Sequence, residues 1–126
     1  MALRYLDHVN LRTMNVATMT EFYCTVLGLR SGARPPFGFG GAWLYCGEHA
    51  VLHLVEVNAP PDPSSALQLE HFAFAADDFD SLVRSLTESG IEYRLSKLVG
   101  SETRQVNLRD PDGNRVHIDF PDHLAK

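Results

Sequence analysis

Four histidines recur at related positions in this sequence, and side chains of that type at that spacing can hold a metal ion. His8 lies in Leu6-Asp7-His8-Val9-Asn10-Leu11, and His71 lies in Leu69-Glu70-His71-Phe72-Ala73-Phe74, an offset of 63 residues between the two blocks. His53 in Val51-Leu52-His53-Leu54 is echoed by His117 in Arg115-Val116-His117-Ile118 at an offset of 64, with Leu44 and Leu108 repeating in step. Neutral imidazole nitrogens are good ligands for zinc, nickel, copper and iron, particularly when a second group orients the ring. A single histidine on a strand is more often structural than ligating. The paired recurrence of four of the six histidines argues for the metal. His49 reads as a turn residue, and His123 as part of a polar C-terminal tail.

The elements that must carry these residues repeat with them, which marks an internal duplication. A strand is expected over 4–11. A helix follows over 16–27, with Met19, Phe22, Tyr23, Val26 and Leu27 on one face and Gly28 as its stop. Strands are expected near 30–34, 42–46 and 50–57, the last two joined by a turn at Cys46-Gly47-Glu48. The second half repeats this order. A strand at 69–76 leads to a helix at 78–89, with Phe79, Leu82, Val83 and Leu86 on one side and Gly90 at its end. Strands near 91–97, 103–109 and 114–120 complete it, the last two joined by Asp110-Pro111-Asp112-Gly113.

Side chains alternate across a strand, so each strand separates into two faces. Val9 and Leu11 oppose His8, Asn10 and Arg12; Leu52 and Leu54 oppose His53. Phe72 and Phe74 oppose His71, Ala73 and Ala75, while Val116, Ile118 and Phe120 oppose His117 and Asp119. The bulky apolar set can pack under the helix in each half. The histidines then share the other, more polar face, as the lining of a cavity would.

Size and composition bound the remaining choices. A chain of 126 residues with 44% hydrophobic and 21% charged residues suits one globular domain. Its expected organisation is module one at about 1–58, a linker at about 59–68, with Asn58-Ala59-Pro60-Pro61-Asp62-Pro63-Ser64-Ser65 running across its start, and module two at about 69–126. The net charge of -5, with arginines and lysines scattered, excludes the basic stripe that nucleic-acid binding requires. No apolar run approaches a membrane span, and the N-terminus does not read as a secretory signal, so a cytoplasmic protein is expected. Cys24 and Cys46 are expected to be buried free thiols.

With these residues in place, the sequence resembles the vicinal-oxygen-chelate superfamily of glyoxalases, bleomycin-resistance proteins and extradiol dioxygenases. The likeness covers nearly the whole chain. It is carried by Leu6-Asp7-His8, Phe22-Tyr23, Leu27-Gly28-Leu29, Glu70-His71 and Asp110-Pro111-Asp112-Gly113-Asn114. The resemblance implies an α+β fold of two tandem βαβββ modules forming a U-shaped, partly open mixed sheet around a cavity. It also implies one divalent metal ion, held at His8, His53, His71 and His117, with zinc or nickel favoured over iron, manganese or cobalt. A homodimer is the expected state.

Position 117, commonly glutamate in metal-dependent relatives, is histidine here, as is position 53, where glyoxalase I commonly has a glutamate that can move a proton. Four neutral imidazoles leave the ion's charge uncompensated and favour an anionic small-molecule substrate. Asp119, on the same face two residues past His117, is a candidate for the substitute base or else a solvated carboxylate beside the ligands. Arg12, Asn10 and Trp43 are candidate substrate-binding residues, Arg12 for a carboxylate or else as a surface arginine in a weak ion pair, and Phe37, Phe39 and Trp43 around Gly38-Phe39-Gly40-Gly41 are read as ordinary packing or, less commonly, as a mobile aromatic rim. The expected activity is that of a metal-dependent lyase or isomerase acting on vicinal oxygens, with the metal as a Lewis acid stabilising an enediolate. An extradiol-type dioxygenase and a non-catalytic binding protein like the bleomycin-resistance members are the alternatives; the first ordinarily needs a carboxylate ligand.

Overall fold

The computed structural model describes residues 1, 4–61 and 68–124, without the side chain of His123. The chain divides into two compact units, Met1–Pro61 and Asp62–Lys126. Of the linker expected at 59–68, residues 62–67 lie outside the described residues.

Unit one runs β1 (Val9–Thr13), α1 (Val16–Glu21), a π-helical turn (Phe22–Val26), β2 (Arg30–Gly32), β3 (Gly41–Cys46) and β4 (His49–Glu56). Unit two runs β5 (Phe72–Ala75), α2 (Phe79–Glu88), β6 (Tyr93–Lys97), β7 (Arg104–Arg109) and β8 (Arg115–Phe120), then a short 3-10 turn, Asp122–Leu124. Both are βαβββ modules, and each folds one four-stranded mixed sheet. The strand orders are β1-β4-β3-β2 and β5-β8-β7-β6, so in each the first strand lies against the last. Those two contacts are parallel, and the others are antiparallel.

The parallel contact is what the helix makes reachable. Two parallel neighbours need a crossover to bring the chain back, whereas the antiparallel partners follow one another directly, through loops as short as the two residues between β3 and β4 and as long as the eight between β2 and β3. In unit one the apolar side of the sheet presents Leu11, Leu44, Leu52 and Leu54, buried together with Met19, Phe22, Tyr23 and Val26 of the helical segment. In unit two Leu86 of α2 is buried, as are Val106, Leu108, Val116, Ile118 and Phe120 of the sheet. The ring of Phe79 meets Phe120 edge-on at 5.3 Å, with the Arg104 guanidinium over its face at 3.9 Å.

Three expectations need correction. The first strand begins at Val9, not residue 4, because its ladder with β4 runs from Val9↔Leu52 to Thr13↔Glu56; likewise β5 begins at Phe72. His8 and His71 therefore precede their strands by one residue. The first helix is not α-helical throughout: after Glu21 it widens into the π turn, which buries Phe22, Tyr23 and Val26 together. Gly28, at φ +80°, then turns the chain out. Both cysteines are free, but only Cys24 is shielded in part; Cys46, at the end of β3, is exposed.

The turn that precedes β8 is built around one buried carboxylate. Asp110 Oδ1 accepts from the backbone N–H groups of Asp112 and Asn114, both at 2.9 Å, and Oδ2 accepts from Asn114 Nδ2 at 2.8 Å. Gly113 supplies the positive φ of +88° that closes it. Three donors on a carboxylate that is only 4% exposed make its loss costly. Asp110→Ala is expected to destabilise the protein by about 2–3 kcal/mol and Asp110→Asn by less, as read from urea unfolding midpoints.

Candidate metal and ligand site

Pairing the first strand of each unit with its last places two histidines side by side. In unit one the rings of His8 and His53 stack with centroids 3.9 Å apart and planes inclined by 11°. In unit two His71 and His117 stack at the same 3.9 Å and 11°. The four histidines singled out in the sequence thus form two equivalent pairs, one in each unit. Among the described residues, no group of three or more His, Cys, Asp or Glu side chains stands close enough to hold a metal ion.

The pairs differ in their surroundings. His53 is buried between two rings, with Trp43 stacked on it at 4.0 Å and 11° and His8 on the other contact. Its Nε2 lies 3.1 Å from the Ala50 carbonyl. A carbonyl can only accept, so that nitrogen carries the proton and Nδ1 offers the lone pair. Burial lowers the His53 pKa from its ordinary value, and the neighbouring His8 lowers it further. His117 is lowered in the same way, by burial first and then by His71. Both rings are therefore held in the neutral state that ligation requires.

The remaining candidates follow from register. Asn10 is the β1 partner of His53 and Trp43 its β3 partner, so all three occupy one row of the sheet; Arg12, two residues on, is exposed beside Val55. In unit two Asn107 pairs with His117 and Gln105 with Asp119, while Ala73 and Ala75 of β5 flank the same residues on the other side. Asp119 Oδ1 accepts from Gln105 Nε2 at 3.2 Å. Asn107 Nδ2 donates to Ser96 Oγ at 2.9 Å and to the Arg94 carbonyl at 3.0 Å. This face is hydrogen-bonded and lined by small side chains, whereas its counterpart in unit one is aromatic. The amides of Gln105 and Asn107 were not singled out in the sequence; the β7–β8 register, combined with alternation from His117, would have placed them there.

The aromatic segment is tied down rather than loose. Phe37 and Phe39 stack at 5.0 Å, Arg34 lies over both rings at 5.0 and 5.3 Å, and its NH2 donates to the Phe39 carbonyl at 2.7 Å. His49 also departs from its expected role. It opens β4, and its Nε2 approaches both the Asp7 carbonyl, at 2.8 Å, and the Asp7 carboxylate, at 3.2 Å.

The donor set fits a divalent ion in kind: neutral imidazoles come in adjacent pairs. As stacked, however, the lone pairs of each pair lie in near-parallel planes, and a shared ion requires a ring to turn about its side-chain torsions.

The family model of the Glyoxalase/Bleomycin resistance protein/Dioxygenase superfamily matches residues 5–118, and the chain belongs to that superfamily. Its fold is shared with a glyoxalase family protein from Bacillus anthracis, at 22% identity and a TM-score of 0.80, covering 96% of this chain and 98% of that one. A lactoylglutathione lyase from Agrobacterium tumefaciens is similar at 22% identity and a TM-score of 0.71, covering 95% and 96% of the two chains. An antibiotic binding protein from a Streptomyces species gives 22% and 0.73, covering 96% and 98%. No curated protein matches the sequence. Among the described residues, no helix is long and apolar enough to cross a membrane.

The depressed histidines carry a consequence for stability. His53 and His117 take up protons less readily folded than unfolded, so their contribution is complete above the unfolded value near 6.5 and is lost as pH falls below it toward the lower folded values. Melting temperature in metal-free buffer is expected to fall from pH 7.5 to pH 5.5. The fall should be smaller in His53→Phe, which keeps a stacking ring but cannot titrate.

Proposed function

We propose that the chain is a metal-dependent lyase or isomerase of the glyoxalase kind. His8, His53, His71 and His117 would supply the ligands of one divalent ion, with zinc or nickel favoured. The observation that carries this reading is the duplicated pair: two separately folded sheets each bring a histidine ahead of the first strand against one on the last. A packing role would explain one such pair more readily than two at repeat-related positions.

When bound, the ion supplies Lewis-acid polarisation of two neighbouring substrate oxygens. The chain's own residues supply the rest. Arg12, exposed on the face that carries His53, attracts a substrate carboxylate, and Asn10 offers an amide in the same row. Trp43 supports His53 from behind and restricts the water around it. Asp119 would be the group that takes a proton. Gln105 is hydrogen-bonded to its Oδ1, and Oδ2 would be the oxygen that takes the proton. The protein would act on a small anionic substrate, as a homodimer in the cytoplasm.

A second reading is favoured by the aromatic groups of unit one. Trp43, Phe37 and Phe39 give it ring surface suited to holding a ligand without chemistry. Metal content separates the two. Elemental analysis of untagged protein is expected to find about one zinc, nickel, cobalt, manganese or iron per chain, lost in both His71→Ala and His117→Ala. Iron would direct assays toward ring-cleaving dioxygenation. No metal, and none taken up on reconstitution, would overturn the catalytic reading in favour of the binding protein.

A further inference from the structure

Each unit contains a second, smaller constellation beside its histidine pair. The residue before the leading histidine is acidic in both, Asp7 before His8 and Glu70 before His71, at the same offset of 63. Asp7 Oδ2 lies 2.7 Å from His8 Nδ1, and Glu70 Oε2 lies 3.2 Å from His71 Nδ1. The other oxygen of each acid is also engaged. His49 Nε2 stands 3.2 Å from Asp7 Oδ1, and Arg115 NH1 donates to Glu70 Oε1 at 3.3 Å. His49 lies four residues before His53 on β4 and Arg115 two residues before His117 on β8, so each acid is braced from the start of its closing strand, but from a different register position.

We propose that Asp7 and Glu70 are positioning residues that fix the tautomers of His8 and His71, each holding the ring proton on Nδ1 and leaving the Nε2 lone pair free to ligate. An ionised carboxylate has no proton to give, so the hydrogen of each contact belongs to the imidazole. The tautomers of a free imidazole lie close in energy, so one hydrogen bond decides between them even where solvent screens the charges. That matters here because both acids are 61% exposed and their ion pairs add little to stability. Orientation by a carboxylate at the distal ring nitrogen is a general device for presenting histidine to a metal.

His53 is oriented by different means and in the opposite sense. The Ala50 carbonyl keeps its proton on Nε2. Unit one therefore presents Nε2 from His8 and Nδ1 from His53, and the two tautomers depend on different groups.

The tautomers are read from long-range nitrogen–proton spectra of 15N-labelled, metal-free protein at a pH where the rings are neutral. In the wild type, His8 and His71 are expected to carry the proton on Nδ1, and His53 on Nε2. Asp7→Ala should shift His8 alone toward the Nε2-protonated form, and Glu70→Ala should shift His71 alone, with His53 unchanged in both. The consequence for metal rests on the proposed ligand set: zinc affinity by calorimetry should fall about 10–100-fold in each variant. Wild-type His8 and His71 protonated on Nε2, or tautomers indifferent to both substitutions, would overturn the proposal without any variant having to bind metal. Tautomers that shift as expected in a protein that takes up no zinc would uphold the positioning role and overturn the ligand reading alone.

Discussion

The parallel contact between the first and last strands of each unit is the constraint on which the rest depends. Without it, residues 45 or 46 positions apart in the chain would have no reason to meet, and each histidine would be a lone side chain at a sheet edge. The contact is made by the helix crossover and held by the apolar face beneath it, where Leu11, Leu52 and Leu54 in one unit and Val116 and Ile118 in the other leave water. Core packing and site geometry are consequently two faces of the same strands. A shift of β1 by one residue against β4 would turn Leu11 outward and carry Asn10 away from His53 together.

Around that contact each unit builds its polar face from what the register allows. In unit one the row Asn10, His53, Trp43 places an amide, an imidazole and an indole in sequence across three strands. In unit two, alanines at 73 and 75 leave room beside His117 and Asp119, and the amides of Asn107 and Gln105 fill the next strand. The helices pack their buried residues with the apolar side of each sheet. Their task is to bury that side, and α2 is started for it by Asp78, which caps Ser81 N at 3.2 Å from a left-handed backbone at φ +58°.

Much of this was legible in the sequence, because two periodicities and one repeat agreed. Alternation along 50–57 and 114–120 fixed the faces of β4 and β8, and the offsets of 63 and 64 tied them to the histidines. The turn at Asp110-Pro111-Asp112-Gly113 reads directly from residue type, since few other residues suit its backbone. What stayed illegible depends on partners distant in sequence. Nothing local stops a strand at Val9 rather than residue 4; the ladder starts there because β4 offers Leu52 as its partner. The π turn at Phe22–Val26 leaves no mark distinguishable from ordinary helical spacing. His49 looked like turn filler, because its tie to Asp7 spans 42 residues and has no counterpart in the repeat.

That last difference has a historical consequence. In one half the brace on the acid is an imidazole and in the other a guanidinium, although both start the closing strand. At the repeat offset Arg115 corresponds to Val51 and His49 to Gly113, so the two halves have kept a brace on the acid but neither its residue nor its position. An inherited framework that requires a support, but fixes neither what it is made of nor where along the strand it stands, lets its two copies drift apart in chemistry while staying alike in shape.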